Sequence, residues 1–256
     1  MLILISPAKS LDFETKNTNK NFSESSFLKE SQSLIKQLRK LSTDEIADFM
    51  SISPKLAQLN FERFVNWHLP FNLENAKQAI LAFKGDVYTG LDAGSLSETE
   101  LHRAQNDLRI LSGLYGVLRP LDLIQAYRLE MGKKLQTTKG KNLYEFWGDK
   151  ITHEINKTLK EKEDKHLINL ASNEYFKSVN KKKIKAEIIT PVFKDLKNGQ
   201  YKVISFFAKK ARGLMTRFII QNKITNPEHL KAFSSDGYVF NPHLSKDTEL
   251  VFTRDQ

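Results

Sequence analysis

The chain has 256 residues, 40% of them hydrophobic and 27% charged, with a formal net charge of +10 at pH 7. This length allows one large domain or two small ones, and cysteine is absent, which excludes disulfides, thiolate nucleophiles and iron–sulfur clusters ligated by this chain. There is no run of eighteen apolar residues and no basic region typical of a signal peptide, so we expect a cytoplasmic protein without a membrane partner.

The first predicted element is a buried strand over Leu2–Ser6, where a short apolar run ends at Pro7. Lys9 and Ser10 follow this strand, and a lysine beside a hydroxyl group can contact an anion. No glycine-rich phosphate loop surrounds them, so they do not form a P-loop. A helix is then predicted over Phe27–Leu41, because its leucines recur at helical spacing.

Capping residues predict two further helices, over about residues 43–66. Ser42 and Glu45 form a capping box, and Ser53 precedes a proline at the first helical position. Two short helices in this order invite comparison with a helix-hairpin-helix, a module that binds the DNA backbone. The glycines of its hairpin are missing here, and an ordinary αα-hairpin accounts for the same pattern.

A second buried strand is predicted over Ala79–Phe83, and the polar loop of residues 84–90 follows it. Loops that follow strands often contain binding residues. Within this loop Lys84 and Tyr88 are candidate ligand contacts, and Asp86 is a candidate base or metal ligand.

The segment Ser112–Gly132 is interrupted by glycines and a proline and contains several charged and phenolic side chains. A capping box of Ser97 and Glu100 opens a helix whose apolar face is predicted to extend to Leu111 and into this segment. Buried charges are costly unless paired, so the segment is either a buried ion-pair lattice or the floor of a polar site. The candidate binding residues in the segment are Arg119 and Arg128, and the candidate catalytic residues are Asp122, Tyr115 and Tyr127.

A helix is predicted over about residues 142–161, and a third strand over Leu167–Leu170 ends in another polar loop. Ser172 and Tyr175 are candidate ligand contacts in that loop, and Glu174 is a candidate base or metal ligand. Ligands of α/β sheets gather at the carboxyl ends of strands. We therefore expect the loops after residues 5, 83 and 170 to form one composite site with the arginines of residues 112–132.

The excess of positive charge is concentrated between Lys177 and Arg217, where twelve Lys and Arg accompany two acidic residues. The difference of ten equals the whole formal excess. A localised excess favours a polyanionic partner, although a solvated lysine-rich surface has the same composition. The candidate DNA phosphate contacts in this stretch are Lys181, Lys182, Lys183, Lys209, Lys210 and Arg212.

The C-terminal part predicts strands over Ala186–Phe193 and Tyr201–Phe207, with the hairpin signal Asn198-Gly199 between them. Short strands over Gly237–Phe240 and Glu249–Phe252 close the chain. Strands interspersed with helices predict an α/β fold (α+β mixed) with a mixed sheet and flanking helices. No composition break separates domains, so we expect one compact domain over residues 1–256.

Several sequence motifs that would identify a metal site or an enzyme class are absent. The six histidines are scattered, with no pair at metal-ligand spacing, so we predict neither a metal site nor a cofactor. The nucleophile elbow G-x-S-x-G and the dinucleotide loop G-x-G-x-x-G are also absent. The remaining Lys, Arg, Asp, Glu and Tyr side chains can bind an anion or nucleotide and transfer protons. These residue types do not identify a particular reaction.

Six blocks in order along the whole chain resemble the YaaA family, also called UPF0246 or DUF328. The blocks are Met1–Leu11, Ala79–Leu91, Leu111–Gly132, Tyr144–Ile151, Ile168–Val179 and Ile204–Arg217. The resemblance implies an unusual α/β fold with a helix-hairpin-helix-like element and a positively charged cleft that binds DNA. It also implies a role in the bacterial response to hydrogen peroxide, in which the family limits the intracellular iron that drives oxidative damage.

The residues and the resemblance leave three hypotheses open. The first is a cytoplasmic peroxide-stress protein that binds DNA largely independently of sequence through a basic cleft and helps limit iron-driven damage. The second is an enzyme that acts on a nucleotide or another phosphorylated small molecule at the composite Lys/Arg/Asp/Tyr site. In the third, the polar blocks are structural salt bridges without a ligand.

Overall fold

Strands and helices are mixed along the computed structural model, which describes residues 1–15 and 19–255. Within these residues the β-strands are β1 (Leu2–Ile5), β2 (Ser10–Leu11), β3 (Lys77–Gln78), β4 (Phe83–Lys84), β5 (Leu108–Ser112), β6 (Gly116–Leu118), β7 (Leu123–Ile124), β8 (His166–Leu170), β9 (Glu187–Lys197), β10 (Gln200–Lys202), β11 (Val239–Phe240) and β12 (Glu249–Arg254). The α-helices are α1 (Leu28–Leu38), α2 (Thr43–Met50), α3 (Pro54–Asn66), α4 (Ala79–Ala82), α5 (Asp86–Leu91), α6 (Glu98–Asp107), α7 (Leu143–Trp147), α8 (Lys150–Glu161), α9 (Asn173–Phe176) and α10 (Ser205–Gln221). Short 3₁₀ helices lie at Ala93–Ser95, Lys181–Lys183, Pro227–Ala232 and Ser235–Gly237. In the described part of the chain no helix combines the length and the apolar character needed to cross a membrane.

The main sheet, as far as the described residues show, has eight strands in the order β11-β12-β9-β8-β1-β5-β6, with β10 paired to β9. Strand β1 pairs in parallel with both β5 and β8, and Ile5 lies beside Ile110 and Leu170. Antiparallel pairs, such as β5 with β6 and β9 with β10, make the sheet mixed, as predicted. Because β1, β5 and β8 are parallel, their carboxyl ends share one edge, where the loops that follow them begin.

The centre of the sheet is the best-buried part of the core. All four residues of β1 have no exposed surface, and the apolar residues of β8 are also buried. Parallel strands that are covered on both faces read as continuous apolar runs, which is why the strands at residues 2–5 and 166–170 could be predicted. Each fully buried leucine or isoleucine contributes about 1.5–3 kcal/mol relative to an exposed one.

The predicted strand over Ala79–Phe83 is wrong. Residues 79–82 form the single turn of α4, and β4 pairs with β2 outside the main sheet. A short apolar run indicates burial but does not distinguish a buried strand from a buried helical turn. The pairing of Ser10 with Lys84 still brings the loop after β4 beside the loop after β1.

One predicted helix is shorter than expected, and another is divided in two. Helix α6 ends at Asp107, and the residues expected to extend it to Leu111 form the central strand β5 instead. Burial against β1 outweighs the weak helical spacing of the leucines there. The helix predicted over residues 142–161 is divided into α7 and α8 at Gly148, whose φ of +48° few other residues adopt readily.

The hairpin predicted at Asn198-Gly199 is confirmed. Both residues have positive φ, 53° and 72°, as a type I′ turn requires, and Lys197 pairs with Gln200. The strand predicted over Tyr201–Phe207 is too long, because β10 ends at Lys202 and α10 begins at Ser205.

Both predicted capping boxes are confirmed. The Ser42 hydroxyl accepts the Glu45 backbone N–H at 3.2 Å, and the Glu45 carboxylate accepts the Ser42 N–H at 2.7 Å. Ser97 and Glu100 repeat the arrangement at 3.3 and 2.7 Å. Helices α2 and α3 are joined by a short turn in which Ser51 has a φ of 56°. Their role as a helix-hairpin-helix stays a prediction.

We expect Ser97→Ala to lower the free energy of unfolding by about 1 kcal/mol, because the Glu100 N–H loses its acceptor. Urea denaturation followed by circular dichroism measures this change. Thr99→Ala, at an exposed position in the first turn of the same helix, is the matched control and should change stability by less than about 0.5 kcal/mol. Equal losses in the two variants would contradict the capping role.

A buried ion pair fastens the C-terminal end of the chain to the sheet. Asp195 of β9 has no exposed surface and accepts hydrogen bonds from Arg254 Nε at 2.7 Å and from the Tyr238 hydroxyl at 2.9 Å. Arg254 also pairs with Asp236 at 2.9 Å, and Asp236 lies 3.4 Å from the ammonium of Lys210. These contacts form one chain of alternating charges.

Candidate anion-binding cleft

A cleft of about 280 Å³ opens at the carboxyl edge of the sheet. The loop after β1, the loop after β4 and the loop after β8 all line it, together with Glu130 and one face of α10. The structure therefore brings together eight of the residues predicted for the composite site. They are Lys9, Ser10, Lys84, Asp86, Tyr88, Ser172, Glu174 and Tyr175.

Hydrogen bonds hold the three loops in place. The Ser6 hydroxyl accepts the Ser172 backbone N–H at 2.8 Å and donates to the Ser172 hydroxyl at 3.2 Å. The hydroxyl of Tyr88 donates to the Ser6 carbonyl at 3.1 Å. Burial raises the pKa of Tyr88 well above its ordinary value, so this phenol stays neutral and keeps its proton for that bond.

Four cationic side chains line the cleft. Those of Lys9, Lys84 and Lys209 are exposed, whereas Arg212 is half-buried. Within the described residues the Arg212 guanidinium has no hydrogen-bond or ion-pair partner, and burial lowers its pKa. Arginine nevertheless stays charged in proteins, and a desolvated charge without a partner is costly. The guanidinium of Arg212 is therefore a ready contact for an anion.

Three carboxylates share the cleft with these cations. Glu130 is buried, and its Oε1 accepts two hydrogen bonds from Arg128, at 3.0 and 3.2 Å. Its Oε2 is also buried and has no partner among the described residues. Glu174 accepts the Gly132 N–H at 2.9 Å, and Asp86 is exposed at the start of α5. The described residues contain no group of three or more His, Asp or Glu placed to hold a metal ion.

Sequence reasoning placed Glu130 in the central segment but not among the candidate site residues. A signal was available: Arg128 and Glu130 are two residues apart, so in an extended segment their side chains lie on the same side. Arg128 itself does not line the cleft; it lies behind Glu130 and fixes the position of that carboxylate.

Arg119 and Asp122 do not reach the cleft. They pair with each other, with Arg119 Nε donating to Asp122 at 3.1 Å, and Arg119 also donates to the Glu24 carbonyl. Strand β6 runs antiparallel to β5 and returns the chain toward the amino edge of the sheet, where Arg119 lines a separate groove with Met1. Asp122 is buried, which raises its pKa. In this part of the segment Ser112–Gly132, the charged side chains therefore form the ion-pair alternative and not the floor of the site.

Tyr115 and Tyr127 lie behind the cleft in the core. The Tyr115 hydroxyl accepts from Trp67 Nε1 at 3.0 Å, and the Tyr127 hydroxyl lies 2.6 Å from the Ser112 hydroxyl. Burial raises the pKa of both phenols. Neither residue lines the cleft, so their geometry supports a structural role and not the predicted catalytic one.

The predicted DNA contacts divide according to their position on the fold. On α10, Lys209 and Arg212 are three residues apart and share the face toward the cleft. Lys210 lies on another face, where it pairs with Asp236 at 3.4 Å.

The lysines of the 181–183 turn lie away from the cleft. Lys183 pairs with Asp149 of the α7–α8 junction at 2.6 Å. The ammonium of Lys181 lies 5.2 Å from the centre of the Phe176 ring. Lys182 is exposed and lines a different depression with Lys183. These three residues therefore form a second basic surface and do not extend the first.

Sequence comparison identifies the family. A model described as "Peroxide stress protein YaaA" matches residues 1–244. The chain belongs to the YaaA family. A UPF0246 protein of Colwellia psychrerythraea (strain 34H) is 61% identical over 254 residues, which cover 99% of each chain. UPF0246 proteins of Aliivibrio fischeri (strain MJ11) and Shewanella loihica (strain PV-4) are 59% and 58% identical over 256 residues, which cover all of this chain and 99% of each relative.

The resemblance of the six sequence blocks to the YaaA family is thus confirmed over nearly the whole chain. The family description is consistent with a peroxide-stress role for this YaaA member. It names no ligand, so the ligand has to be argued from the cleft.

Proposed function

We propose that this YaaA-family chain acts in the cytoplasm during peroxide stress by binding DNA phosphates in the cleft, and that it thereby helps limit iron-driven damage. The observation that supports this most is the half-buried Arg212, which has no counter-ion within the described residues and lies among three lysines. A phosphate oxygen is the partner that matches a guanidinium best, because the two can form parallel hydrogen bonds.

The proposed mode of binding is electrostatic. Lys9, Lys84 and Lys209 neutralise phosphates at the rim while Arg212 contacts one deeper in the cleft. Each neutralised phosphate adds about −0.9 to the slope of log affinity against log salt, so four contacts give a slope of up to about −3.6. Such binding is largely independent of sequence.

In this proposal the protein affects iron because its cationic side chains and ferrous ions compete for the same DNA phosphates. DNA phosphates hold a condensed layer of cations, and a protein that neutralises them releases those cations. Ferrous ions within this layer would be released as well, away from the deoxyribose that hydroxyl radicals attack. This account needs no iron-binding site on the protein.

The proposal is tested by charge reversal at the rim. We expect the double variant Lys84→Glu/Lys209→Glu to bind labelled DNA roughly 50-fold more weakly at 0.1 M salt and to flatten the salt slope by about 1.8. Fluorescence anisotropy over a range of salt concentrations measures both quantities.

The matched control is Lys181→Glu/Lys182→Glu, which makes the same change in charge at two exposed positions outside the cleft. We expect it to retain most of the affinity. If the two double variants lose affinity equally, the whole surface charge is responsible and the cleft assignment fails. If neither variant loses affinity, DNA binding through the cleft is excluded.

A second candidate function is an enzyme that acts on a nucleotide. It is favoured by Asp86 and Glu174, which line the same cavity as the cations and are suited to proton transfer. The Tyr88 ring lines this cavity too and can help to orient a substrate. A thermal-shift screen should then find a nucleotide whose stabilising effect is lost in Lys84→Met and kept in Arg119→Ala. Chromatography should show turnover that Asp86→Asn abolishes; binding without turnover would exclude the enzyme.

A further inference from the structure

Two groups of opposite charge in the cleft lack partners within the described residues. One is the Arg212 guanidinium, and the other is Glu130 Oε2, which is buried in the cleft wall. In folded proteins buried polar atoms nearly always have a hydrogen-bond partner, so Glu130 Oε2 needs an explanation. The Arg212 guanidinium is half-buried, and its charge is partly desolvated without a counter-ion. One ligand with an anionic group and a separate N–H donor would satisfy both.

The size of the cavity restricts what this ligand can be. A volume of about 280 Å³ lies near the lower end of the range for small-molecule sites. It suits one nucleotide and is too small for a DNA duplex. The rings of Tyr88 and Tyr175 contribute to the wall and offer apolar surface to a base.

We infer that the cleft takes a single nucleotide, with its phosphate on Arg212 and the neighbouring lysines and an amino group of its base donating to Glu130. The inference rests on the proposed function and specifies it: DNA presents an extruded, unpaired or terminal nucleotide to the cleft. Extrusion costs a few kcal/mol and least where a base is already unpaired, so bubbles, mismatches and single strands bind best.

The contacts of Glu130 determine which bases fit. Its Oε1 is occupied by Arg128 and lies 3.5 Å from the ammonium of Lys9, so only Oε2 is left for the ligand. The Lys9 side chain is 66% exposed, which leaves it free to move as a base approaches. A carboxylate oxygen accepts from the exocyclic amino groups of cytosine, adenine or guanine, whereas thymine has the acceptor O4 at the position of the cytosine amino group.

Base extrusion is measured with a duplex that contains 2-aminopurine at an unpaired position, because unstacking this base raises its fluorescence. We expect the wild-type protein to raise the fluorescence several-fold. Cytidine monophosphate should compete at least about tenfold better than thymidine monophosphate or ribose 5-phosphate, which corresponds to one charge-assisted hydrogen bond.

The variant Glu130→Gln separates recognition of the base from binding of the phosphate. The Arg128 guanidinium can only donate, so it holds the amide oxygen and turns the amide NH₂ toward the base. We therefore expect the variant to reverse the preference, from cytidine to thymidine monophosphate. Should the variant fail to fold, the competition between cytidine monophosphate and ribose 5-phosphate on the wild-type protein still tests the inference.

The outcomes distinguish this inference from the proposed function. Suppose DNA binding is lost in Lys84→Glu/Lys209→Glu, the fluorescence does not rise, and the three monophosphates compete equally. The single-nucleotide inference is then overturned, and the proposed DNA function stands. If DNA binding survives the double lysine variant, both are overturned. A rise in fluorescence together with reversal in Glu130→Gln supports both.

Discussion

Replacement of Gly213 by alanine is expected to destabilise the protein by about 3 kcal/mol or more and to abolish the DNA binding that we propose for the cleft. Helices α5 and α10 cross at Gly90 and Gly213 with their backbones in contact. A methyl group at Gly213 would overlap the carbonyl oxygen of Val87 and lie 2.8 Å from the backbone nitrogen of Leu91. Neither atom belongs to a flexible side chain that could move aside.

The sign of this effect is not obvious from helix propensity alone. In a helix interior alanine is favoured over glycine by about 1 kcal/mol, so without the overlap Gly213→Ala would stabilise α10. We expect the overlap to dominate and to separate α5, which contains Tyr88, from α10, which contains Arg212. Urea denaturation and DNA anisotropy measure the two consequences.

The control for Gly213→Ala is Gly94→Ala. A methyl group at Gly94 has no atom within 4 Å among the described residues, so stability should change by less than about 0.5 kcal/mol. Similar losses for both variants would show that the close crossing of α5 and α10 does not limit the packing.

Removal of the buried carboxylate in Asp195→Ala is expected to lower the free energy of unfolding by about 3–5 kcal/mol. The Arg254 guanidinium would keep only Asp236 as a charged partner, and the Tyr238 hydroxyl would lose its acceptor. Burial raises the pKa of Tyr238 and does not depend on Asp195, so this phenol cannot ionise to replace the lost carboxylate near neutral pH.

Thermal and urea unfolding of Asp195→Ala should be compared with those of Lys197→Ala, an exposed position on the same strand. Asp195→Asn retains an acceptor for Tyr238 and should lie between the two. A loss below about 1 kcal/mol in Asp195→Ala would mean that the ion pair only balances its own desolvation cost.

The parts of the fold that the sequence predicts well depend on local physics. Capping boxes involve residues three apart, and the hairpin at residues 198–199 requires positive φ at adjacent positions, so both could be read from short stretches. Leucine spacing predicts helix up to residue 111, where β5 forms instead, because the pairing of β5 with β1 is a long-range contact that local spacing does not indicate. The apolar run at residues 79–83 predicts a strand where α4 forms, because apolar content specifies burial and not backbone conformation.

The candidate site also combines features that the sequence predicts with features that depend on long-range contacts. The loops after β1 and β8 were expected to meet because they follow parallel strands. The loop after β4 meets them for a different reason, the pairing of Ser10 with Lys84. The prediction that Arg119 joins the composite site is wrong, because the composition of the segment does not show that β6 reverses the chain direction after β5. The division of Lys209 from Lys210 could have been predicted from helical spacing, since adjacent residues do not share a helix face.

The short ladder between β2 and β4 has a consequence for how this protein can vary. Side chains on a strand alternate between its two sides, so a change in the length of the β1–β2 loop that moved the pairing of β2 with β4 by one residue would turn Ser10 and Leu11 to the opposite side. Ser10 would then turn away from the cleft. The length of the loop between β1 and β2 is consequently as restricted as the types of side chain in it. Insertions and deletions that related proteins tolerate should therefore lie outside this loop.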